Sequence, residues 1–424
     1  MKNKILKNTF WLFFEKFSSI IGTLFITIYT ARYLGPENMG TINFALSIGA
    51  IIVPLAQLGS STLIFDKSAI SSEKGSKLII SSQSVRGLIY LIISVFFLLI
   101  YHLNENEEFF VFLLIVISFY FLSIDSYKPF FDGVMESRKN MIATQLGLVM
   151  SHSLRLLLVF LQKPILFFAI PYILNASIPF FYRKYKFNKV KSNISISHRV
   201  KKKYRKFAIM SGIPLALSGL SVIIYVKINQ IILGQTLGME SLGLYSSATV
   251  IAQGWLFLPM ILMTAILSKV ISEKNKQMKN LGFSFVYLIT ITISVCITIF
   301  LFFFSESIMM ISFGAEFIAS SSLIPLLSVS SIFAMIGSVS YRIIINNGGY
   351  SFLMKKMAVM AVISVVLSYI LIGIYGLNGA VYSVLLVEFF SSTFANYFFK
   401  GNMVLEIQRN IFSSMNYRHR LIRN

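Results

Sequence analysis

The sequence predicts an all-α integral membrane protein of about twelve transmembrane helices, built as two six-helix lobes. Three observations carry this reading. First, the chain is 56% hydrophobic and only 13% charged, with a mean hydropathy of +0.76. A soluble chain carries about 25% charged residues, so too few are present to cover a water-facing surface. Second, apolar runs long enough to cross ~30 Å of hydrocarbon recur from end to end. Third, lysine and arginine alternate in step with those runs.

Taken in order, the spans fall near 8–31, 40–64, 78–101, 109–130, 140–162, 164–183, 207–233, 243–268, 281–304, 317–345, 354–375 and 377–399. The N-terminal MKNKILKNTFWLFF continues as a full span rather than ending at a small-residue cleavage site, so it reads as a first helix and not a signal peptide. Pro164, Pro171 and Pro179 interrupt the pattern around the sixth span. Membrane helices tolerate proline where neighbours satisfy the freed carbonyl.

The basic residues then fix an orientation. Of 38 lysines and arginines, 32 fall in one alternating set of loops and tails, and only Arg32 and Lys163 fall in the other. The positive-inside rule places the rich set, and with it both termini, in the cytoplasm. The acidic loop around Asn104–Glu108 falls on the opposite side. The net charge of +22 is therefore a topology signal, and no nucleic-acid partner is expected. The chain divides into an N-terminal lobe (1–185), a basic cytoplasmic linker (186–206) close to anionic headgroups, a C-terminal lobe (207–400) and a cytoplasmic tail (401–424), read either as an amphipathic helix or as a frayed end.

An internal repeat explains the two lobes. Leu34-Gly35-Pro36-Glu37-Asn38-Met39-Gly40 follows the first span, and Leu237-Gly238-Met239-Glu240-Ser241-Leu242-Gly243 follows the seventh. Both read L-G-x-E-x-x-G, 203 residues apart, and Ala45 and Ala248 match at the same step. A step from span one to span seven relates halves of like topology by a pseudo-two-fold axis along the membrane normal. The glycines permit tight turns, and Pro36 sets the first.

At these residues the chain resembles a known family. Ala31-Arg32-Tyr33-Leu34-Gly35-Pro36-Glu37, an apolar span ending Leu58-Gly59, then Asn346-Asn347-Gly348-Gly349 and Tyr375-Gly376-Leu377-Asn378-Gly379-Ala380 with Glu388 are similar to the polysaccharide-repeat flippases. These are O-antigen and capsule translocases within the multidrug/oligosaccharidyl-lipid/polysaccharide exporter superfamily. The resemblance covers essentially the whole chain. It implies a V-shaped pair of lobes around a central cavity. It also implies alternating access for a polyprenyl-pyrophosphate-linked oligosaccharide, carried to the outer leaflet of a bacterial inner membrane for lipopolysaccharide or capsule synthesis. Proton or sodium coupling, contact with membrane lipids and with polysaccharide assembly proteins, and a monomeric state are further expectations.

Ionisable residues inside spans are costly and mark candidate sites. Lys227, Arg155, Arg86 and Lys16 are the candidate contacts for the pyrophosphate-bearing substrate. Lys227 stands first, because it lies deep in the seventh span. Glu15, Glu388 and Asp125 are the candidate ion-coupling carboxylates. Each has a structural alternative. Glu15 could pair with a cation on a neighbouring helix, Asp125 with Lys128 at i, i+3, and Lys16 and Arg86 could snorkel. His152 and Ser151 share a face with Arg155. Cationic groups slightly outnumber carboxylates in the spans, which disfavours the alternative of an ion-coupled multidrug exporter.

No GxxxxGK[ST] loop, HExxH or cysteine–histidine cluster occurs, and Cys296 is the one cysteine. No catalytic residue, metal or cofactor is therefore expected. No long loop is available for an extramembrane catalytic domain, which disfavours a polymerase or ligase. The sequon Asn193-Ile194-Ser195 lies in the basic linker and is discounted.

Overall fold

The structure is a computed structural model that describes residues 2–103, 108–191 and 196–412. Asn104 to Glu107, the sequon and the last twelve residues of the tail lie outside the described residues. Everything regular among the described residues is helical.

Among the described residues, ten helical stretches are long and apolar enough to cross a membrane. Two of them, Phe17–Gln57 and Tyr350–Tyr397, are each broken inside by a glycine. Helix α1 (Lys2–Gln57) leaves helical geometry at Gly35, with φ 77°. The later long helix, Tyr350–Ser392, does so at Gly376, with φ 58°. Only glycine adopts such angles without strain. Counting each arm as a span gives the twelve expected.

The burial pattern is that of a protein in lipid. On the helix Ser72–Leu103 (α3), Ile92 and Phe96 are exposed while Arg86, Tyr90 and Ser94 are buried. The Tyr90 hydroxyl donates to the Val116 carbonyl at 2.5 Å. Many phenylalanines and leucines face outward, while many serines pack inside. Small residues let helices approach without leaving voids. Many of these serines donate to the carbonyl four residues back, as Ser82 does to Leu78 and Ser294 to Thr290, so their hydroxyls need no distant partner.

The chain forms two compact units, Met1–Ile223 and Ile224–Asn424. In the first, α1 packs on α4 (Phe109–Ile124) and α6 (Ser137–Phe160), and α8 (Ile170–Lys191) packs on both α4 and α6. Short helices α2 (Ser60–Ile70) and α5 (Tyr127–Gly133) continue α1 and α4 past breaks. Pro164 caps the one-turn α7 (Ile165–Phe168), and α8 passes through Pro171 and Pro179. A Cβ on Gly147 of α6 would lie 2.7 Å from the Pro179 ring, so that glycine lets α6 and α8 meet.

The segment expected to be a linker, 186–206, is helical over much of its length. Helix α8 runs to Lys191 and α9 (His198–Thr236) starts seven residues later. Phe187 is buried in the hydrophobic cluster of the first unit with Ala208, and this apolar anchoring extends both helices beyond their hydrophobic spans.

In the second unit, α12 (Lys276–Ser312) packs on α13 (Ile324–Asn346), and α13 on α14 (Tyr350–Ser392). A 3-10 helix, Ala315–Leu323, leads into α13. The tail begins with helix α16 (Met403–Arg409), whose Val404 and Ile407 are buried against this unit. The Ser284 hydroxyl donates to the Ile407 carbonyl at 2.6 Å.

The repeat is visible in the backbone. Gly35 and Gly238 have φ of 77° and 83°. Ala45 and Ala248 are both completely buried.

Candidate functional site

Helix breaks build one large cavity. Helix α4 stops at Ile124, and Asp125 has φ −73° and ψ 79°, outside helical geometry. Its Oδ1 accepts from the Tyr127 amide at 3.2 Å, a local turn that starts α5. The break turns Asp125 and Lys128 toward the interior of the first unit. There a cavity of about 950 Å3 is lined by both residues, by Thr144 of α6, by Asn175 and Arg183 of α8, and by the apolar face of α9 from Leu215 to Ile223.

Two ion pairs meet its wall through the lining residues Lys128, Asp125 and Arg183, while Glu15, the partner of Lys128, is not among the lining residues. Lys128 Nζ lies 2.6 Å from Glu15 Oε1, and Arg183 Nη1 lies 2.5 Å from Asp125 Oδ2. Asp125 therefore does not pair with Lys128 at i, i+3. The break removes the helical register on which that spacing depends, and each partner comes from a distant helix. Glu15 has a neighbouring-helix cation, Lys128, while Lys128 itself is nearly half exposed.

Thr144 joins the two pairs. Arg183 Nη2 donates to its hydroxyl at 2.7 Å, and the hydroxyl donates to Glu15 Oε1 at 3.1 Å. Asn140, one turn earlier on α6, accepts from Arg183 Nε at 3.1 Å. Its amide donates to the Lys128 carbonyl and to Asp132 Oδ1. Four helices are thus tied through one polar cluster. Glu15 Oε2 is buried without a partner among the described residues, so this carboxylate retains one unused acceptor beside the cavity wall.

The second unit carries a smaller cluster. Glu388 of α14 faces the Tyr225 hydroxyl of α9. Lys356 lies within electrostatic range of Glu388, and its Nζ donates to Asn396 Oδ1 at 2.8 Å. Ser364 donates to the Tyr225 carbonyl at 3.4 Å, tying α14 to α9. Lys227 donates to Gln230 Oε1 at 2.8 Å, one turn on in its own helix.

The other candidates stand apart from the large cavity. Arg155 is 6% exposed, and its guanidinium lies 4.2 Å from the Tyr172 ring centroid, a cation–π contact. His152 packs against Gly22 of α1, and neither ring nitrogen has a partner among the described residues. Arg86 is buried on α3 against Ser82. Lys16 lies on α1, with its side chain outside what the structure describes. Cys296 is exposed, and no metal-binding group of residues occurs among the described residues.

Sequence reasoning missed Arg183, Lys128 and Lys356 as site residues, because each fell in a basic loop that the orientation rule already explained. One signal was present. Ala176, Phe180, Arg183 and Phe187 recur at helical spacing, and all four are buried, so Arg183 sits on the inward stripe of α8.

A profile for a family described as "Polysaccharide biosynthesis protein" matches residues 5–266. No curated protein matches the chain. Solved structures share the fold. A multidrug resistance MATE family transporter of the MOP superfamily, inward-facing, superposes with a TM-score of 0.65 at 16% identity, covering 93% of this chain and 96% of that one. The lipid II flippase MurJ, in an inward closed conformation, gives 0.66 at 15% identity, covering 96% and 91%. A MOP superfamily transporter from Pyrococcus furiosus gives 0.64 at 16% identity, covering 98% and 96%. At these identities the likeness speaks for the fold.

Proposed function

Because the chain belongs to the polysaccharide biosynthesis protein family, we propose that it is a flippase for a polyprenyl-pyrophosphate-linked oligosaccharide repeat unit. The cargo moves from the cytoplasmic to the outer leaflet of a bacterial inner membrane by alternating access, and feeds O-antigen or capsule assembly. Both termini face the cytoplasm in this reading, which the 32-to-2 distribution of basic residues supports.

The observation that carries this reading is the paired-charge wall of the 950 Å3 cavity. A pyrophosphate and a glycan cannot enter hydrocarbon unaided. Cations in a wet cavity replace the water around the phosphate. Lys128 and Arg183 are such cations, each held by a carboxylate. The cargo's phosphate takes a cation from its carboxylate, and a proton or sodium ion then takes the carboxylate. Glu15, with its unused Oε2, and Asp125 are the coupling groups in this scheme. Glu388 is a further coupling carboxylate in the second unit. Lys227 and Lys16 are additional cationic contacts along the path. Exchange of partners also keeps binding weak enough for release.

The test is lipid extraction from a strain depleted of the protein, followed by mass spectrometry of the polyprenyl-pyrophosphate species. Accumulation of the complete repeat on its carrier is expected, with loss of surface polysaccharide. Wild type restores both, and Lys128→Ala expressed at the same level does not. An unchanged carrier-lipid profile and unchanged surface glycan contradict the proposal.

A further inference from the structure

Arg86 is 2% exposed. Its Nη2 donates to the Ser82 hydroxyl at 2.7 Å, and its Nη1 has no partner among the described residues. A guanidinium keeps its charge under all ordinary conditions, and a buried charge without a counter-charge is among the most costly features a protein can hold.

The surroundings are built for an anion. Arg86 lines a small cavity of about 10 Å3 together with Leu58, Ser60, Ser82 and a second cation, Arg205 of α9. No aspartate or glutamate lines it. The N-terminus of α2 opens there. Gly59 precedes that helix in left-handed geometry, with φ 58°, and no side chain caps it. An uncapped helix start presents amide hydrogens and the positive end of the helix dipole. Ser60, the first residue of α2, is buried at the same place. Helix α9 closes over the break. A Cβ on Gly212 would lie 2.4 Å from the Leu58 carbonyl oxygen, and one on Gly59 would lie 2.3 Å from Leu215 Cβ.

We propose that Arg86, Arg205 and the α2 N-terminus form a binding site for one halide-sized anion, which neutralises Arg86 and locks α9 onto the α1–α2 break. Size selects the ligand. A cavity of about this volume is at the lower bound for one small species, so a monatomic anion, which needs only a small outward shift of the exposed Arg205 side chain, fits better than the bulkier sulfate or phosphate. A water molecule fits but leaves the guanidinium charge uncompensated. The site is separate from the large cavity, and the inference does not depend on the cargo proposed above.

The experiment is thermal unfolding of the purified full chain in detergent, at constant ionic strength, with sodium bromide or chloride replacing sodium gluconate. A saturable rise in Tm of roughly 2 °C or more with either halide is expected, with no such rise in sulfate. Arg205→Gln, which removes an exposed side chain, should raise the half-saturating halide concentration about tenfold. Arg86→Gln should abolish the dependence, and Arg155→Gln should retain it. Anomalous scattering from bromide should peak beside Arg86. Equal melting in halide and gluconate, as a site filled by water gives, overturns the proposal. So does a halide effect that Arg205→Gln leaves unchanged, or a bromide peak elsewhere only.

Discussion

The two units repeat an architecture but not a chemistry. Both contain the L-G-x-E-x-x-G turn with its positive-φ glycine, followed by a completely buried alanine. In the first unit, buried carboxylates meet cations directly, at 2.6 Å for Glu15–Lys128 and 2.5 Å for Asp125–Arg183. In the second, Glu388 and Lys356 are held by the neutral partners Tyr225 and Asn396. The 203-residue step from Asp125 and Lys128 lands on Ser328 and Ser331, both buried and neutral. Backbone turns are therefore what the repeat preserves, while the directly paired buried charges stand beside the cavity of the first unit.

The largest expected effect that would sharpen this contrast is Arg183→Ala. It leaves Asp125 buried and unpaired and removes a partner from both Asn140 and Thr144. Breaking such a pair costs about 3–5 kcal/mol, and thermal unfolding of the purified protein should show it. Adding Asp125→Asn should recover part of the loss. Lys356→Ala should cost less, since its direct partner is a neutral amide. Equal losses in the two units would break the comparison.

Next in size is Gly379→Ala in the second unit. A Cβ there would lie 1.9 Å from the Leu371 carbonyl oxygen. Overpacking against backbone costs about 1–3 kcal/mol, so a melting loss at the upper end of that range is expected.

Thr144→Val should follow at about 1–2 kcal/mol, because it removes the hydroxyl that links the two ion pairs of the first unit. Its closest counterpart is the bond between the Tyr287 and Ser340 hydroxyls, 2.7 Å apart. Tyr287→Phe should cost about 1 kcal/mol. A larger loss from Tyr287→Phe than from Thr144→Val would reverse the assignment of the more strongly coupled network.

Smallest is Gly238→Ala. Nothing lies within 4 Å of the added Cβ, so only the φ of 83° resists it, at a cost of about 1 kcal/mol. A melting curve that does not move would show that the turn is free to relax.

The spans were legible in the sequence because hydrocarbon thickness dictates their length and no tertiary contact is needed to see them. Gly35 and Gly238 were legible because the repeat displays the same local turn twice. Glu15 was legible as a candidate because a carboxylate in an apolar run is rare. Its partner was not, since 113 positions separate it from Lys128 and nothing local in the sequence connects them. Asp125 was assigned a helical neighbour because the fourth span was drawn through Pro129 to residue 130, although a proline there removes the helical hydrogen bond to the Asp125 carbonyl. Arg183 was absorbed into a basic stretch, and only its phase with Phe180 and Phe187 separates it from the exposed lysines around it. The buried end of α16 was hidden for a similar reason, since Val404 and Ile407 alone are too few to mark a docked helix.

If the paired charges of the first unit carry the cargo, transport fails without them. The most direct test is transport of a fluorescent lipid-linked oligosaccharide in proteoliposomes with an imposed ion gradient. Wild type would be compared with Glu15→Gln, Lys128→Ala and Arg155→Gln at matched protein content. At least a tenfold loss of initial rate is expected for Glu15→Gln and Lys128→Ala. Arg155→Gln, outside the cavity wall, should keep most of the rate. Wild-type rates from Glu15→Gln and Lys128→Ala would contradict that role of the paired charges.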